Sequence, residues 1–169
     1  MGFALSRQVD FLDTYAYPAR PIASDFSVAF FQFTALELGS LLCLGCPRIG
    51  ELCQACPQSA ADPAPAPDTS VAHLIVSVVD CNDRPVPGAT VTVTATGSAS
   101  PVVYFNDGPL DPVATSTDDT IGAALITGLS PGLVTISAFV GQASSGSPKF
   151  MPNAVLVTAN ALTFAEISP

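Results

Sequence analysis

The chain has one histidine and no tryptophan. A lone imidazole, His73, removes every site built on a histidine pair. Any Ser-His-Asp or Cys-His arrangement would depend on that one residue. Charge is scarce as well. Only 11% of residues are charged, and five Lys and Arg stand against fourteen Asp and Glu, for a net charge of −9. So few cations argue against a nucleic-acid partner, whose phosphates are held mainly by basic side chains. They also argue against electrostatic adhesion to anionic lipid. The acidity and the shortage of lysine are compatible with an extracytoplasmic setting. No helical period of useful length runs beyond residue 70, and no cofactor is called for. Hydrophobic residues nevertheless make up 49% of the chain, so it is not disordered by composition.

The 169 residues suffice for one domain with appendages, and composition divides them into four segments. Residues 1–25 are net negative, with Arg7 and Arg20 against Asp10, Asp13 and Asp25. They show neither a helical nor a strand period, and a translation start later than Met1 would explain them. Residues 26–46, FSVAFFQFTALELGSLLCLGC, carry one charge, Glu37, and are long enough to span a bilayer as a helix. An export or anchor segment is the first expectation for them, and a helix packed on the following domain is the alternative. Residues 47–70 include QSAADPAPAPDTS, where alternating Ala and Pro favour an extended spacer. Residues 71–169 hold the folded unit.

That unit reads as short strands separated by turn residues. Leu74, Val76 and Val78 alternate with other apolar residues, as in a strand buried on both faces. Thr90, Thr92 and Thr94 alternate with Val91 and Val93, which puts threonine outward and valine inward. Further strands are expected at Val102–Phe105, Val113–Ser116, Ala123–Ile126, Leu133–Val140, Ala154–Thr158 and Leu162–Ile167. Turns are expected at Asp80–Gly88, Thr117–Gly122, Gly128–Gly132 and Ala159–Asn160. About seven short strands indicate an all-β sandwich.

The order V-x-V-x-D, P-V-P-G-A-x-V-x-V, T-D, G and G-L-x-P-G-x-x-x-I-x-A resembles the carboxypeptidase regulatory-like domain. It is carried by Val76, Val78, Asp80, Pro85 to Ala89, Val91 and Val93. It continues in Thr117, Asp118, Gly122, Gly128, Leu129, Pro131, Gly132, Ile136 and Ala138. The resemblance covers His73 to Pro169. It implies a seven-stranded transthyretin-like or Ig-like sandwich with a prealbumin-like Greek key, preceded by an irregular or helical segment. It further implies an accessory module of secreted and surface proteins rather than an enzyme. Two enzyme families with related folds need residues that are absent. Intradiol dioxygenases need a histidine pair. Hydroxyisourate hydrolases need several histidines and end in Tyr-Arg-Gly-Ser, whereas this chain ends in Glu-Ile-Ser-Pro.

Two sets of residues remain as candidate sites. Gly45-Cys46 resembles the end of a bacterial lipoprotein signal, which would make Cys46 the acylated residue and membrane lipid a partner. Cys43, Cys46, Cys53 and Cys56 also form two C-x-x-C pairs with zinc-ligand spacing. Disulfides among Cys53, Cys56 and Cys81 are the other alternative, with the pairing open. Asp107, Asp111, Asp118 and Asp119 supply oxygens suited to calcium, but aspartates also occur in turns because they bond the local backbone. The expected function is an envelope-associated or secreted, non-enzymatic binding or presentation module. Its exposed threonine faces would meet a protein or carbohydrate. A small metal-binding protein is the rival.

Overall fold

The computed structural model describes residues 3–5, 13–17, 68–95, 101–107, 110–111, 113–141, 150 and 152–169. Every regular element among them is a strand: β1 (Phe3–Leu5), β2 (Asp13–Tyr17), β3 (Ala72–Val78), β4 (Ala89–Thr94), β5 (Val102–Phe105), β6 (Leu110–Asp111), β7 (Ala123–Leu129), β8 (Gly132–Val140), β9 (Asn153–Val157) and β10 (Ala161–Ile167). A seven-stranded sheet has the order β1-β2-β10-β3-β7-β5-β6, and a three-stranded sheet the order β4-β8-β9.

The period-2 pattern sets which residues meet. Leu74, Val76 and Val78 of β3 join Ala124 and Ile126 of β7 and Ala165 and Ile167 of β10 on one face of the large sheet. Val91 of β4, Val134, Ile136 and Ala138 of β8, and Val155 and Val157 of β9 face them from the small sheet, in one core. Burying each large aliphatic side chain contributes about 1.5–3 kcal/mol. This is an all-β, sandwich-like arrangement. The threonines at 92 and 94 stand outward as the alternation predicts.

Several expectations are corrected. Residues 71–169 form eight strands, against the seven of the expected sandwich. Val113–Ser116 is not a strand; Leu110–Asp111 pairs with β5 instead. The segment 1–25, expected to be irregular or helical, supplies two strands. β2 runs parallel to β10 with Asp13 opposite Ala161 and Tyr17 opposite Ala165, and β1 pairs antiparallel with β2. Gly128 lies within β7 and not in a turn. Between Ala72 and Leu74 the partners step from Leu129 to Ile126, so β7 carries one extra residue. Gly128, at φ 70°, absorbs that bulge at no steric cost. The connection from β7 to β8 then shrinks to Ser130 and Pro131.

Two glycines with positive φ differ in their surroundings. A Cβ on Gly88, at φ 72°, would meet nothing within 4 Å. A Cβ on Gly122, at φ 62°, would come 2.8 Å from Pro85 Cβ and 3.0 Å from the Val78 carbonyl oxygen. Gly88→Ala should therefore cost only the backbone term, about 1–2 kcal/mol. Gly122→Ala should cost at least about 3 kcal/mol, since backbone must move as well. Urea unfolding of the two variants checks this; equal losses would contradict it.

Candidate functional site

The turn residues of the resemblance motif converge at one end of the sandwich. The Thr117 carbonyl accepts from Gly88 N–H at 2.8 Å, and Thr117 N–H donates to the Ala89 carbonyl at 2.9 Å. The Thr117 hydroxyl accepts from Ala89 N–H at 2.9 Å and donates to the Val86 carbonyl. Val86 N–H donates to the Val78 carbonyl, and Val78 N–H to the Gly122 carbonyl. Asp118 Oδ1 accepts from Ile121 and Gly122 N–H, each at 2.9 Å, and Asp118 Oδ2 from Asp107 N–H at 2.8 Å. Burial pushes the Asp118 carboxyl upward, but the N–H donors of Gly122, Ile121 and Asp107 outweigh it and hold the group below its ordinary value.

These bonds bear on the acidic candidates. Asp118 and Asp107 do come together, and the Asp107 carboxylate accepts from the Thr120 hydroxyl at 3.3 Å. Asp111 accepts from Asn106 Nδ2 at 3.0 Å and from Val113 N–H at 2.8 Å. Asp118 and Asp111 thus direct oxygens at the local backbone, as turn aspartates do. Asp119 belongs to the same turn, Thr117–Gly122. No group of three or more His, Cys, Asp or Glu arranged for a metal ion occurs among the described residues. Asp80 behaves alike. Its Oδ1 accepts from Asn82 N–H at 2.7 Å and Arg84 N–H at 3.0 Å, and the Arg84 and then the Asn82 bonds lower its carboxyl.

Cys81 is free and exposed on that turn. Cys43, Cys46, Cys53 and Cys56 lie outside the described residues, and so do their acylation, zinc and disulfide alternatives. The export or anchor segment 26–46 lies outside them too. No helix among the described residues is long and apolar enough to cross a membrane.

His73, expected at the start of a strand, is deep in the large sheet. It is 3% exposed, on β3 between β10 and β7, and its Nδ1 has no hydrogen-bond partner. Desolvation lowers its pKa to about 4, opposed weakly by the Asp68 charge. At neutral pH it is an uncharged sheet residue.

The outer side of the small sheet carries exposed apolar residues. Leu133 of β8 pairs with Leu156 of β9, yet they are 65% and 53% exposed. Thr92, Thr94 and Thr135 are exposed beside them, and the Thr92 hydroxyl donates to Ser137 at 3.4 Å. Sequence reasoning singled out the threonines but not the leucines, although alternation with Val134, Ile136 and Ala138 already turns Leu133 outward. Both edges of this sheet are occupied in part. On β4, Ala89 N–H goes to Thr117 and Val91 N–H to the Tyr104 hydroxyl at 2.9 Å. On β9, the Leu156 carbonyl accepts from the Tyr17 hydroxyl at 3.2 Å. Such edge closure discourages strand addition.

No family model and no curated protein matches the chain. Among solved structures it is similar to the Caf1A usher C-terminal domain, whose surface hydrophobic clusters are described as important for F1 antigen assembly. The TM-score is 0.33 at 18% identity, over 57% of this chain and 96% of that one. A likeness of that size bears on neither partner nor activity.

The His73 environment sets a pH window. The folded pKa of about 4 lies below the ordinary value of 6.5, so the unfolded chain binds this proton first as pH falls. The stability linked to neutral His73 is fully present above pH ~6.5 and is lost toward pH ~4, on the order of 3 kcal/mol. Asp118 and Asp80, with lowered values, act below that window, where their stabilisation is lost as they protonate. Urea unfolding at pH 7 and 4.5 should show the loss in the parent chain and little of it in His73→Leu. An equal loss in both would contradict this account.

Proposed function

We propose that the protein is a non-enzymatic accessory module, secreted or associated with the cell envelope, which binds another protein through the outer face of its small sheet. The carrying observation is the exposed Leu133–Leu156 pair set among Thr92, Thr94 and Thr135. Apolar side chains in a polar surround suit a protein partner, with the leucines as anchors and the hydroxyls as adaptable hydrogen-bonding groups. A transthyretin-like Greek key of the carboxypeptidase regulatory-like kind fits the two sheets and the converging turn residues. The absence of enzyme activity is supported by His73, the one histidine, being buried and neutral. The acidic, lysine-poor composition supports an extracytoplasmic setting.

Purified parent protein and the double variant Leu133→Lys/Leu156→Lys would be used to capture proteins from an envelope extract of the native host. The variant should keep the parent's unfolding midpoint, since both side chains are exposed. It should lose at least about tenfold in affinity, the equivalent of 1.4 kcal/mol. Val113→Lys, at a third exposed apolar residue, should bind as the parent does. Undiminished capture by the double variant would overturn the proposal.

A further inference from the structure

β10 has a neighbour on each side, and the two hold it differently. On one side β3 pairs with residues 162–167, and β7 lies beyond it. On the other, β2 pairs with residues 161–165, and the three-residue β1 lies beyond. No residue of β2 is a buried member of either core cluster, and Tyr17 only borders one of them. The Tyr17 hydroxyl bond to the Leu156 carbonyl stands at an exposed place. The β2–β10 ladder is parallel, the slightly weaker kind of pairing per residue. An outer strand with so small a share of the core can open without the rest of the sandwich.

The edge beneath β2 carries none of the usual guards. Residues 161–165 read Ala-Leu-Thr-Phe-Ala, with no charge and no proline. Their register against β2 is one to one, without a bulge. Glu166, the first charge of β10, lies just past the last residue paired with β2. Charges, prolines and bulges are what keep a bare edge from pairing with another chain.

The same segment reads nearly alike in both directions. Two such edges laid antiparallel about a twofold axis at Thr163 set Ala161 opposite Ala165 and Leu162 opposite Phe164. Thr163 then faces its own counterpart. Residues directly opposite share a face, so leucine meets phenylalanine twice and threonine meets threonine once; both kinds of pair stabilise an antiparallel ladder. A second observation marks the central position. Thr163 is fully buried, and its Oγ1 has no hydrogen-bond partner. A buried hydroxyl without a partner carries a desolvation cost, and a facing threonine supplies the missing group.

We propose that the β10 edge is a latent interface for a second copy of this chain, covered by β2. When β2 leaves, two large sheets join through β10 into one continuous sheet. The contact is isologous, the same strand on both copies, as in closed twofold dimers.

Sedimentation equilibrium of the full chain and of its Tyr15→Pro/Ala16→Pro variant tests the proposal. Adjacent prolines remove a β2 donor whichever alternate N–H faces β10. The variant should dimerise at least about tenfold more tightly than the parent. In a mixture of differently labelled variant chains, Leu162 methyl groups should show nuclear Overhauser contacts to the Phe164 ring of the other copy. Amide protection in β3 and β7 reports that the sandwich is still folded. A variant that stays monomeric with those amides protected overturns the proposal. So does a dimer without the Leu162–Phe164 contacts, and so does a parent that dimerises as tightly as the variant. Loss of protection in β3 and β7 on inserting the prolines would make β2 part of the core and not its cover, and overturns the proposal as well.

Discussion

Thr117 is the residue on which the meeting of the two sheets depends. Its backbone and hydroxyl together hold Val86, Gly88 and Ala89. The same strip of loops ties Val78, at the end of β3, to Gly122, at the start of β7. A turn leading into the small sheet is thus fastened to strands of the large one. Buried backbone groups in a loop need partners, and here a single buried threonine supplies several. Asp118 performs the same service one residue on. Gly122 is required because Pro85 and Val78 leave no room for a side chain.

The edges of the small sheet are engaged by the same kind of closure. The knot fixes the first half of β4, and Tyr104 caps Val91 beyond it. Tyr17 reaches from β2 to β9 on the far side. With both edges engaged, the outward Leu133–Leu156 pair is an exposed apolar pair on the sheet face. The motif residues are occupied with holding the turns together.

Much of the sandwich was legible in sequence. The alternation of Val91 and Val93 with threonines specified both faces of β4. Asn160, at φ 54°, marked the turn before β10 because asparagine tolerates that conformation. Other features were hidden for physical reasons. β2 is five residues long and reads DTYAY, with no strong period of its own; it is a strand because Ala161–Ala165 pairs with it from the other end of the chain. Gly128 signalled positive φ, but a turn and a bulge need the same φ. His73 began an apolar run, and only the sheet order shows it to be interior. The aspartates were ambiguous because turn bonding and calcium binding use the same oxygens; at Asp118 those oxygens accept from the Ile121, Gly122 and Asp107 N–H groups.

Urea unfolding of Thr117→Val tests the central dependence most directly, since valine keeps the volume and removes only the hydroxyl. The buried Ala89 N–H and the partly buried Val86 carbonyl would lose their partner, at about 1–3 kcal/mol for the buried donor and less for the carbonyl. The account predicts a loss of about 2–4 kcal/mol in one cooperative transition. A loss under about 0.5 kcal/mol, the size of an ordinary surface substitution, would contradict it.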